Sequence, residues 1–73
     1  MAQFDWDEYK EFKKTSNKED KLAIAIDFMR SYYNMSNPRD IYGMLIADDI
    51  GRMMLEKRGL SDVEMLESYI YQL

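Results

Sequence analysis

Carboxylates and tyrosines are the side chains of this sequence that could do chemistry, because it contains no histidine and no cysteine. The usual general base, the thiol nucleophile and the soft metal ligands are therefore missing. Catalysis would have to rest on acids such as Asp40, Asp48 and Asp49, the only clustered carboxylates beside an apolar helical run. Their neighbours argue against it: Asp48, Arg52 and Glu56 recur at a spacing of four, a self-compensating surface row on a helix. No calcium loop and no glycine-rich phosphate cradle occurs. The sequence is expected to be no enzyme, with no cofactor and no metal.

A different arrangement stands near the C-terminus. Glu64, Glu67 and Tyr71 lie at i, i+3 and i+7, one face of a helix, and Asp62 begins that helix. Acids steer association towards a basic surface, and tyrosine supplies a large contact area at low entropic cost. Asp62, Glu64, Glu67 and Tyr71 are the candidate partner-binding residues; a merely solvated helix face is the alternative. After Arg58 the chain has no Lys or Arg at all.

The composition agrees with a protein partner. Fourteen acids against ten bases give a formal charge of −4, which disfavours direct contact with nucleic acid or anionic lipid. Seven methionines and six tyrosines in 73 residues are many, and both types suit adaptable interfaces as well as small cores. A chain this short buries only about 60% of the surface that its unfolded form exposes, so a partner or a second copy could add stability. The lack of cysteine and the acidic, aromatic start MAQFDWDEYK place the chain in the cytoplasm. No stretch approaches the roughly 18 apolar residues of a membrane span.

The elements that must position these residues read as a compact all-α bundle of about four helices, one domain over residues 1–73. The first, Phe4 to Lys14, has Asp5 as cap, Glu8 completing a capping box, and Phe4 stapled onto Tyr9, with Trp6, Tyr9 and Phe12 as an aromatic lid. Ser16 with Glu19 makes a second box that starts a helix to about Tyr33, whose face is Leu22, Ala25, Ile26, Met29, Tyr32 and Tyr33. Asn34 to Asn37 is a turn. In RGLSDVEM, Gly59 ends one helix in a left-handed residue, Leu60 packs back on Leu55, and Ser61 with Glu64 caps the last helix, Asp62 to about Gln72.

Between these lies PRDIYGMLIADDIGRMMLEKRG, Pro38 to Gly59, read as one central helix with Asn37 as cap. Gly43, Ala47 and Gly51 then form a stripe of minimal side chains, a helix seam for close packing within the chain or for a second copy. Glycine inside a helix costs about 1 kcal/mol relative to alanine, so close contact should offset it. Ile41 and Leu45 fit this helix badly, since they fall on its later polar side. A break near Asp48, with Asp48 capping a further helix, is the alternative.

The tight Gly-Leu-Ser turn between two amphipathic helices resembles the helix-turn-helix of DNA-binding regulators. That resemblance would imply a recognition helix carrying Arg, Lys, Asn or Gln, whereas this one presents Asp62, Glu64 and Glu67. LSDVEMLESY is similar to the first helix of the small helical sporulation-checkpoint inhibitors of histidine kinases, over ten residues only, and assigns no family. In size, charge and lack of catalytic side chains the chain resembles phage-encoded antagonists, including anti-CRISPR proteins and DNA mimics. The function expected is a small acidic module that inhibits or regulates a larger, locally basic protein, such as a nucleic-acid-processing enzyme, by covering its surface. A homodimer through the Gly43, Ala47 and Gly51 seam is the second expectation.

Overall fold

The α2 helix, Lys21–Tyr32, holds the middle of the molecule, because its run LAIAI leaves almost no polar side to turn outward. Leu22, Ala23, Ile24, Ala25, Ile26, Phe28 and Met29 are all buried. In this computed structural model, which describes residues 4–73, four other helices surround it: α1 Trp6–Lys14, α3 Pro38–Ile46, α4 Asp49–Lys57 and α5 Val63–Tyr71. The described residues are thus all-helical, with five helices where about four were expected. Met1–Gln3, the start of the acidic N-terminal stretch, lie outside the described residues. The Cα radius of gyration is 11.2 Å, matching the value of about 11 Å expected for a single packed domain of this length.

The stretch from Pro38 to Gly59 is two helices and not one. Ala47 ends α3, and Asp48, in extended backbone, caps α4 by accepting a hydrogen bond from the Ile50 amide at 2.9 Å. The break lets both halves turn their apolar sides inward. Ile41 and Leu45, misplaced on a continuous helix, are fully buried, while Ile46, Ile50 and Met53 are exposed. The acidic row dissolves for the same reason. Asp48 is a cap that also accepts from the Trp6 indole N–H at 2.8 Å, Asp49 pairs with Arg52, and the Arg52 guanidinium donates to the Ile46 carbonyl at the end of α3.

Helix ends follow local chemistry wherever one residue alone can supply it. Asp5 caps α1 through the Asp7 and Glu8 amides, and the Phe4 and Tyr9 rings meet at 5.9 Å. The Asp5 amide, assigned to Glu8 by a capping box, donates instead to the Tyr33 hydroxyl at 2.8 Å. At the other end of the fold, Gly59 has φ of 69°, its amide donates to Glu56, and the Leu60 amide donates to the Leu55 carbonyl at 2.9 Å. That is the Schellman arrangement read from RGL. Two caps are displaced. Asp20 replaces Ser16 at the start of α2, and Asp62 replaces Ser61 at the start of α5, each accepting from an amide of the first turn. Tyr32, assigned to the core face of α2, is largely exposed.

An aromatic cluster ties α1 onto α2. Phe28 is its hub, with ring centroids of Phe4, Phe12, Tyr32 and Tyr33 between 4.8 and 5.5 Å away. The aromatic lid is therefore present, with Tyr9 buried and Trp6 and Phe12 half-buried over the core.

Candidate functional site

The α5 helix presents the acid and tyrosine face. Leu66 and Ile70 are buried, so helical spacing turns Glu64, Glu67 and Tyr71 to the opposite side. Glu64 and Tyr71 are exposed and Glu67 is half-buried, with the Tyr71 hydroxyl donating to Glu67 Oε2 at 3.4 Å. Asp62 stands apart from this face. Its carboxylate caps the helix, accepting from the Met65 amide at 2.9 Å. Among the described residues, the ion pairs are Lys14 with Glu11, Lys18 with Asp27, Arg52 with Asp49 and Arg58 with Asp20. Glu64 and Glu67 take part in none of them, so their charge is uncompensated.

Besides the burial of Leu66 and Ile70, α5 is tied to the fold by a polar junction that sequence reasoning missed. The Tyr69 hydroxyl donates to Asp20 Oδ2 at 2.5 Å, Arg58 Nη2 approaches the same oxygen at 3.0 Å, and the guanidinium carbon lies 5.3 Å from the Tyr69 ring centre. One carboxylate thereby joins α2, α4 and α5 while its other oxygen caps α2. The available signal was an Asp directly before an apolar helical run. Its partners, 38 and 49 positions further along the chain for Arg58 and Tyr69, carry no local signature.

Burial alone would raise the Asp20 carboxyl, but the Tyr69 hydroxyl, the Leu22 and Ala23 amides and the Arg58 charge outweigh it and hold it below the usual carboxylate value. Tyr69 is pushed above the ordinary phenol value by burial first and then by the Asp20 carboxylate. Tyr9 is raised by burial and, to a smaller degree, by the same charge.

These shifts carry a sign for stability. A phenol raised in the folded state stabilises it fully below the unfolded value of about 10, and that contribution falls away as pH climbs through the folded value. The depressed Asp20 acts oppositely: its contribution is present above the unfolded carboxyl value and is lost as pH falls through the folded one. Tyr69→Phe keeps the ring beneath Arg58 but removes the hydrogen bond, so it should cost about 1–2 kcal/mol at neutral pH. Its stability should also decline less steeply than wild type above about pH 10. Denaturant melts across the alkaline range test both, and parallel curves for the two proteins would exclude the Tyr69 contribution.

The small-residue seam is not assembled. Gly43 lies on α3 with nothing within 4 Å of where a Cβ would stand, Ala47 is the C-cap, and Gly51 lies on α4. The close approach exists only at Gly51, and it is made within the chain, against the Leu45 backbone. The clustered acids likewise do not converge. Asp40 sits in the first turn of α3, while Asp48 and Asp49 are held by the interactions described above.

A groove of about 410 Å³ opens between the start of α2 and α4. Leu22, Ile50, Met53 and Met54 supply its apolar surface, and Lys21 and Lys57 stand among the charged residues around it. Ile50 and Met53 are 46% and 53% exposed there.

No protein-family model, no curated protein and no solved structure matches the chain. Among the described residues, no helix is long and apolar enough to cross a membrane.

Proposed function

We propose that this chain is a small interaction module that regulates or inhibits a larger, locally basic protein by covering part of its surface with α5. The supporting observation is the face formed by Glu64, Glu67 and Tyr71, whose two carboxylates have no ion-pair partner among the described residues and whose tyrosine is 74% exposed. An uncompensated acidic face raises the encounter rate with a positive patch and disfavours like-charged partners. The tyrosine then adds desolvated contact area. A partner that handles nucleic acid has such a patch where it meets phosphate, and occluding that patch would block it.

The charge-reversed variant Glu64→Lys with Glu67→Lys tests this reading. Both positions are on the outward side of a helix held by Leu66 and Ile70, so the helical circular dichroism should be unchanged. Tagged wild type, incubated with nuclease-treated bacterial lysate, should retain one large protein at low salt and release it at high salt. The variant should bind that protein at least about tenfold more weakly, the loss expected when two steering charges become repulsive. Equal capture by the folded variant would remove the face from consideration.

A further inference from the structure

We propose that the groove between α2 and α4 receives the α5 face of a second copy of this chain, so that copies associate head to tail. The inference rests on reading that face as a contact surface, and it adds a second use for it.

The groove wall on α4 is formed by Ile50, Met53, Met54 and Lys57, spaced i, i+3, i+4 and i+7, and spans roughly 10 Å along the helix. Glu64, Glu67 and Tyr71 span the same length on α5, also i to i+7. Lys57 and Lys21 are exposed and have no ion-pair partner among the described residues. Asp20 and Arg58 neutralise each other, which among the described residues leaves Glu19 opposing Lys21 and Lys57 on the rim. The groove is thus locally positive on a chain of net charge −4.

Its own α5 does not fill it. Tyr69 turns towards Asp20, and the Tyr71 side of the helix faces away. With the two helices antiparallel, Glu64 of one copy meets Lys57 of the next, Glu67 reaches Lys21 across the groove, and Tyr71 covers Ile50 and Met53. Methionine adapts readily to such a ring. Because the two surfaces differ, the contact is heterologous and adds copies until a ring closes. Association would also cover the face proposed to bind a basic partner, so the two events compete.

Light scattering on the full chain over a range of concentrations tests the proposal. At low salt the mass of the wild type should climb above 8.8 kDa as concentration rises, and high salt should return it to the monomer. Lys21→Glu with Lys57→Glu spoils the groove and leaves α5 intact; Glu64→Lys with Glu67→Lys does the reverse. Each folded variant alone should remain monomeric, because its face and groove then carry the same sign, while an equal mixture should associate again, native face on native groove and lysine face on glutamate groove. Glu19→Gln should shift association to lower concentration. A wild type that stays monomeric to millimolar concentration, a mixture that stays monomeric, or a variant that associates unaided would each overturn the proposal. The groove variant keeps the α5 face and should still capture a basic partner. Failure of self-association with capture intact therefore leaves the proposed function standing, and the converse result leaves only the self-association.

Discussion

Gly51→Ala is expected to lower the melting temperature by at least roughly 12 °C, or to leave the chain unfolded. A Cβ at this position would lie 2.1 Å from the Leu45 carbonyl oxygen and 2.8 Å from both the Leu45 carbonyl carbon and Cα. All three are backbone atoms at the end of a helix, so no side chain can rotate aside. Either α4 must move off α3 or the corner between them must open, and both expose Leu45 and Leu55. Overpacking a core costs about 1–3 kcal/mol where side chains can give, and a backbone clash should exceed the upper end. With roughly 4–8 °C per kcal/mol in a domain this small, the shift is large. Gly43→Ala is the matched control. Nothing lies within 4 Å of its Cβ position, so exchanging helical glycine for alanine should stabilise by about 0.5–1 kcal/mol. Thermal melts of the two variants should move in opposite directions. A Gly51→Ala protein melting within a few degrees of wild type would show that the α3 and α4 corner is not as close as described.

Phe28→Ala should cost about 3–5 kcal/mol, the range for removing a fully buried phenylalanine. The total available to a domain of this length is roughly 4–11 kcal/mol, so the variant should be marginal at room temperature. The cost has a specific origin. Phe28 is 1% exposed and touches the rings of Phe12 on α1, of Phe4 two positions ahead of that helix and of Tyr33 at the end of its own helix. Its removal leaves a cavity under α1 that Phe4 and Phe12 cannot both fill. Trp6 packs on Phe4 with ring centres 4.2 Å apart, so its fluorescence should shift to the red at lower denaturant concentration than in wild type. Phe28→Leu, which retains most of the volume, should fall between the two. If Phe28→Ala instead unfolds at the wild-type midpoint, the aromatic cluster does not hold α1 in place.

Much of this architecture was legible where a single residue and its near neighbours decide the outcome. The all-helical class follows from apolar spacing. The staple between Phe4 and Tyr9, the Asp5 cap and the Gly59 to Leu60 stop each depend on atoms within a turn of one another. The grouping of Glu64, Glu67 and Tyr71 on the outward side of α5 was legible for the same reason, since helical geometry alone puts them together once Leu66 and Ile70 face inward.

Where two local solutions had similar energy, distant residues chose between them. Ser16 and Asp20 are both adequate caps for the second helix; Asp20 prevails because its carboxylate also reaches Arg58 and Tyr69 from other helices. The stretch from Pro38 to Gly59 is periodic enough to be one helix or two. Capping by Asp48 is worth about 1 kcal/mol, and the break gives up helical hydrogen bonds of about 0.5–1.5 kcal/mol each in return, so local chemistry does not select the break. Burial of Ile41 and Leu45 selects it, supported by the Trp6 indole donating to Asp48 from 42 positions away. The same break turns Ile50 and Met53 outward and creates the groove. The sequence by itself determined the helical class, most helix ends and the acidic face, because these depend on contacts within a turn. Only the tertiary structure decided the number of helices, the buried role of Gly51 and the groove beside Lys57, because these depend on which surfaces the whole chain can bury at once.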